Sequence, residues 1–121
     1  MRIFKNTWFN RFADKEGITD DELRDIVPLL EANQADANLG GGVYKVRVAR
    51  SGEGKAGGYR VIVFFKSEER TFFTYAFGKS GMNNIDMGEL RAFKADAKVT
   101  LSLTEEQIRD RLKSRTLIEI L

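Results

Sequence analysis

The chain has no cysteine and no histidine, and only one proline and one tryptophan in 121 residues. Without cysteine there is no disulfide and no thiolate to act as nucleophile or metal ligand. Without histidine the commonest general acid–base group and the commonest metal ligand are missing together. Any chemistry must come from Lys, Arg, Tyr, Asp or Glu, and neither metal nor cofactor is expected. No apolar run approaches the ~20 residues of a membrane span, and Met1 to Asn6 lack a signal-peptide apolar region. The expected setting is the cytoplasm, with no membrane partner.

Charge is present in near balance, at a net +2, but it is unevenly placed. Residues 43–80 hold eight Lys/Arg against three Glu, an excess of +5; the 42 residues before sum to −3 and the 41 after to zero. Within that segment Val43 to Arg50, Tyr59 to Lys66 and Thr71 to Phe77 read as strands. Lysine and arginine occupy strand positions where a purely structural sheet would more often carry Thr or Val. A cationic sheet in an otherwise balanced chain points to a polyanion-binding face. The plainer alternative is a solvated sheet face.

Side chains alternate along a strand. Lys45 and Arg47 therefore share one face of the first of these strands, and Tyr44, Val46 and Val48 the other. Arg60, Ile62 and Phe64 share a face of the second, with Tyr59, Val61, Val63 and Phe65 opposite. Strands apolar on both sides are usually central and covered.

Upstream, Arg2 to Lys5 reads as a short strand. Asn6 or Thr7 caps a two-turn helix that clusters Trp8, Phe9, Phe12 and Ala13 on one side and ends at Gly17. Thr19-Asp-Asp-Glu22 is a capping box opening a helix with Leu23, Ile26, Val27 and Leu30 inward, which Pro28 should kink or shorten. Asn33 to Gly42 is a polar connection. Downstream, Asp86 caps a helix bearing Met87, Leu90, Phe93 and Ala97. Thr104-Glu-Glu-Gln107 opens a last helix decorated by Arg109, Arg111, Lys113 and Arg115, and Leu117 to Leu121 is an apolar tail. Length and order predict one α+β domain over residues 1–121. Its antiparallel sheet has three or four strands, with a helical pair on one face and further helices after the sheet.

Gly52-Glu-Gly-Lys-Ala-Gly57 matches G-x-G-x-x-G, but that motif needs a helix next, whereas a strand follows. Gly78-Lys79-Ser80 imitates the end of a P-loop, yet Phe73 stands where its first glycine belongs. Two readings of the glycines survive. They form a flexible hairpin loop, or they let the backbone approach a phosphate, with Lys55 adding charge.

Val46 to Arg50, Gly52 to Arg60 and Phe72 to Lys79 resemble the RelE-like toxins of bacterial toxin–antitoxin pairs, within the RelE/ParE superfamily. Asn83 to Lys94 and Leu117 to Ile120 are similar to the branch related to HigB-type toxins. The likeness runs from about Val43 to the end, and Gly54-Lys-Ala-Gly-Gly-Tyr-Arg60 is its specific part. It implies a small microbial RNase-like fold and a metal-independent endoribonuclease that cleaves mRNA on the ribosome and inhibits translation. The implied partners are a cognate antitoxin, mRNA and ribosomal RNA. By motif, the implied catalytic residues are Lys45, Arg47, Arg60 and Lys79.

Two positions depart from the best-known members. Ser80 stands where they carry a further arginine, and Asn83 to Asp86 where they carry a tyrosine. Both departures fit the HigB-related branch, with an inactive relative as the alternative.

RNA self-cleavage needs the 2′-hydroxyl deprotonated, the charge on phosphorus stabilised and the leaving 5′-oxygen protonated. Arginine stabilises such charge through a planar bidentate contact. A lysine crowded by cations can serve as base. The assignment is Lys45 or Lys55 as base, Arg60 as phosphate clamp, and Arg47 and Lys79 in support. Arg50, Tyr59, Tyr75 and Arg111 are candidate RNA contacts, although alternation turns Tyr59 away from Arg60 and toward the core. The rivals are a gyrase-poisoning toxin of the same fold, a nucleic-acid-binding module, and a structural domain that pairs with an acidic partner.

Overall fold

A computed structural model describes residues 1–50, 54–78 and 85–121, without the side chains of Arg50 and residues 54–57. The elements are β1 (Arg2–Asn6), α1 (Thr7–Glu16), α2 (Asp20–Arg24), α3 (Val27–Glu31), β2 (Ala37–Gly40), β3 (Val43–Arg50), β4 (Gly54–Lys66), β5 (Arg70–Gly78), α4 (Met87–Thr100), α5 (Glu105–Ser114) and β6 (Leu117–Ile120). Six strands form one sheet in the order β2-β3-β4-β5-β1-β6.

The α+β class stands, but the sheet is larger than expected and mixed instead of wholly antiparallel. β1 runs parallel to β5, with Arg2 opposite Arg70 and Phe4 opposite Phe72. The expected apolar tail is β6, which pairs antiparallel with β1 from Ile3↔Ile120 to Asn6↔Leu117. The expected connection 33–42 contains β2, an edge strand laid against β3. The physical gain is burial. β1 sits between β5 and β6, so Phe4 is fully enclosed and stacks on Phe72 at 4.9 Å.

The helix ends follow local chemistry. Asn6 accepts from the Phe9 amide, and Gly17 closes α1 with φ of 75°, a conformation that suits glycine. Thr19 accepts from the Glu22 amide at 3.2 Å, while the Glu22 carboxylate takes the Thr19 hydroxyl at 3.3 Å instead of the cap amide. Pro28 does more than kink the next helix. It lies in the first turn of a separate α3, where its missing N–H costs nothing. Full capping boxes open α4 at Asp86–Glu89 and α5 at Thr104–Gln107. The Asp86 carboxyl is held below its ordinary value, chiefly by the Glu89 amide.

Each face of the sheet is packed. Phe9, Ala13, Leu23, Ile26 and Leu30 from α1–α3 meet Val46, Val48, Tyr59, Val61 and Val63 on one side. On the other, Ala97, Leu103 and Ile108 meet Phe4, Val43, Ile62, Phe64 and Phe72. Gly42 makes close packing possible at the β2–β3 turn: its φ is +83°, and a Cβ there would stand 2.5 Å from Leu101. Lys5, 6% exposed on β1, forms an ion pair with Asp20 at 2.9 Å and so ties the sheet to α2.

A four-residue ion network joins β1, β5, β6 and α5. Arg2 reaches Glu105 at 2.7 Å and Glu119 at 2.9 Å, and Arg70 reaches Glu105 at 2.7 Å. The hydrogen bond from Arg70 is the main cause holding the Glu105 carboxyl below its ordinary value of 4.5. A depressed carboxyl contributes stability above its unfolded value and loses it as pH falls through the folded value. Glu105→Gln should therefore lower the melting temperature at pH 7. The gap should close as the pH drops below 4.5, which thermal unfolding across pH would show.

Candidate active site

The register of β3 and β4 builds the basic face. Arg47 lies directly opposite Arg60, and Lys45 directly opposite Ile62. Across the next ladder Arg60 faces Phe77 and Ile62 faces Tyr75. Because Ile62 and Val43 belong to the core cluster under α4 and α5, alternation puts Lys45, Arg47, Arg60 and Tyr75 on that side of the sheet. Four of the residues singled out from the sequence thus share one patch.

Two arginines at directly opposed positions are an unusual arrangement. Opposed Cβ atoms lie ~4.5–5.5 Å apart, and like charges there destabilise the pair. The sheet offsets only part of this. Asp36 accepts the Arg47 amide and lies 3.6 Å from its Nε, so Arg47 is oriented and partly neutralised. Arg60 makes one long contact, from Nη1 to the Gly58 carbonyl at 3.5 Å. Among the described residues neither Arg60 nor Lys45 has a carboxylate partner. The patch therefore holds two uncompensated cations and one positioned by a carboxylate, an arrangement suited to a phosphate.

The remaining expectations fall elsewhere. Tyr59 is corrected as an RNA contact. It is 6% exposed on the opposite face, its hydroxyl donates to Glu16, and its ring meets Phe12 edge-on at 5.1 Å. Arg111 is not brought to the patch either. It is half-buried on α5 and lines a cavity of about 80 Å³ with Asn6, Phe64, Thr74, Asp96 and Thr116, where α4 and α5 cover strands β1, β4, β5 and β6. Lys79 lies outside the described residues, as do the side chains of Arg50 and Lys55. Backbone positions 54–57 belong to β4, which continues through Gly58, so no helix follows the glycine motif and the dinucleotide reading is excluded. The β3–β4 ladder is irregular there, with Arg50 opposite Gly54 and Val48 opposite Tyr59.

Tyr75 is flanked by Phe77 at 6.4 Å, its i+2 neighbour on β5, and by two aromatics that sequence spacing does not connect to it: Trp8 at 4.5 Å and Phe93 at 5.9 Å. Helical spacing groups Trp8 with the core side of α1. In the structure it keeps 45% exposure, whereas Phe9 and Ala13 are buried.

With this fold and this basic face in view, the class is a small α+β protein with a cationic sheet face. Residues 1–120 match the family model for the RelE toxin of the RelE / RelB toxin-antitoxin system. The chain belongs to that toxin family, and membership implies an antitoxin partner. The match is to the family as a whole and assigns no branch within it. Among the described residues no helix is long and apolar enough to cross a membrane.

Proposed function

We propose that this toxin is a metal-independent endoribonuclease of the HigB-related branch, cleaving mRNA on the ribosome in the cytoplasm and so stopping translation. The observation that carries the reading is the opposed Arg47–Arg60 pair with Lys45 beside it, a costly cluster of cations on one face. An endoribonuclease lacking histidine needs such a cluster to replace the usual imidazole pair. A sheet built only for stability has no use for it.

In this mechanism the scissile phosphate sits across Arg60, whose planar fork binds two of its oxygens. Lys45 is the base that takes the proton of the 2′-hydroxyl, with Lys55 the other candidate. The 2′-oxygen bonds to phosphorus, the bond to the 5′-oxygen breaks, and that oxygen takes a proton. Lys79 is the candidate donor. Arg47, oriented by Asp36, stabilises the negative charge that develops on the oxygens of the five-coordinate phosphorus. The products are a 2′,3′-cyclic phosphate and a 5′-hydroxyl.

The test is induced expression in bacteria with mapping of new mRNA 5′ ends. New ends inside reading frames, together with growth arrest relieved by the neighbouring antitoxin gene, support the proposal. Arrest with broken DNA and intact mRNA would instead indicate a gyrase-poisoning toxin.

A further inference from the structure

Trp8 is the single tryptophan of the chain, set in the first turn of α1 and 45% exposed. Its ring lies 5.4 Å from that of Phe12 with 8° between planes, and 4.5 Å from Tyr75 with 29°. A shallow concavity of about 370 Å³ is lined by Trp8, Arg11, Phe12 and Lys15. Arg11 and Lys15 are exposed, and neither has an ion pair or hydrogen bond among the described residues.

Both features are unfavourable for an isolated protein. A large aromatic left in water forgoes burial, and like charges at i and i+4 on a helix repel. A ligand with a flat apolar face and an anionic backbone relieves both at once. Single-stranded nucleic acid has that chemistry, since bases stack on aromatic rings while Lys and Arg follow the phosphates. Tyr75 links this surface, which belongs to α1 on one side of the sheet, to the basic patch on the α4–α5 side. Tyr75, which touches Trp8, faces Ile62 two residues along β5 from the Phe77–Arg60 pair. An acidic protein segment would satisfy the cations but gives no reason for an exposed indole stacked onto Tyr75.

We propose that Trp8, Arg11 and Lys15 form a nucleotide subsite, in which Trp8 stacks a base of single-stranded RNA flanking the scissile phosphate. The inference rests on the basic face being the cleavage site.

Because Trp8 is the only tryptophan, its fluorescence reports on the subsite directly. The probe is a short 2′-O-methyl oligoribonucleotide, which binds but has no 2′-hydroxyl to attack. Saturable quenching is expected in the wild type and also in Arg60→Ala. Anisotropy of the same oligonucleotide, labelled, should show Trp8→Ala weakening binding about tenfold, the scale of one stacked base. Should Trp8→Ala fail to fold, the double variant Arg11→Ala, Lys15→Ala changes only exposed positions. It should flatten the log–log salt dependence by about 1.4, at ~0.7 for each single-strand phosphate no longer neutralised. No quenching, or an unchanged salt slope, overturns the subsite even if Arg60→Ala abolishes cleavage. Quenching by the antitoxin but not by the oligonucleotide also overturns it. Oligonucleotide quenching in a protein that never cleaves mRNA would keep the subsite and remove the proposed activity.

Discussion

Arg60→Ala should lose about 10²–10³ in cleavage rate, the usual effect of deleting one group that stabilises transition-state charge. The fold should survive. Arg60 has no carboxylate partner among the described residues, and its one contact, 3.5 Å to the Gly58 carbonyl, is at the limit of a hydrogen bond. Removing it also relieves the repulsion with Arg47 across the ladder. The melting temperature should therefore stay level or rise slightly while activity collapses. Arg60→Lys should restore little, because a point charge cannot reproduce the bidentate fork. Circular dichroism melts beside single-turnover cleavage separate the outcomes. A parallel fall in stability and activity would make Arg60 structural. Undiminished cleavage would remove it from the mechanism and leave Lys45, Arg47, Lys55 and Lys79.

Lys45→Gln should be as damaging, by about 10²–10⁴, if Lys45 is the base that takes the 2′-hydroxyl proton. Lys45 is half-buried beside β2, opposite Ala37 on one ladder and Ile62 on the other, and has no carboxylate partner among the described residues. The informative comparison is Lys45→Arg, which keeps the charge but cannot act as a base. Substrate binding should be retained in the arginine variant and cleavage lost in both. Recovery of cleavage by arginine would mean that Lys45 contributes charge alone. Full activity of Lys45→Gln would transfer the base role to Lys55.

What is legible in the sequence is local. Asn6, Gly17, Asp86 and Thr104 cap helices because their side chains or their freedom at positive φ act within three residues. Alternation in β3 and β4 separates the Lys45–Arg47–Arg60 face from the Tyr59 face correctly. What escapes is long-range. Ile3 meets Thr71 in parallel and Ile120 antiparallel, and neither pairing leaves a trace in a five-residue strand or a four-residue tail. β2 hides in a polar stretch because edge strands need no apolar alternation. The opposed arginines depend on a register that breaks beyond Val48, and bulges of that kind have no reliable sequence signature. Helical spacing misplaces Trp8 because it gives a face, while distance from the sheet edge decides how much of the ring is covered.

The identity of the RNA ends tests the central claim most directly. Transesterification by the 2′-hydroxyl, driven by lysine and arginine alone, must leave a 2′,3′-cyclic phosphate and a 5′-hydroxyl. A single 2′-deoxy substitution at the cleaved nucleotide must block the cut. Mass spectrometry of fragments produced by the purified toxin on mRNA-programmed ribosomes reads both. Cyclic phosphate ends, absent with the deoxy substrate and formed about 10²–10³ more slowly with Arg60→Ala, are the predicted result. Ends carrying a 5′-phosphate and a 3′-hydroxyl, or cutting that ignores the deoxy substitution, would contradict it.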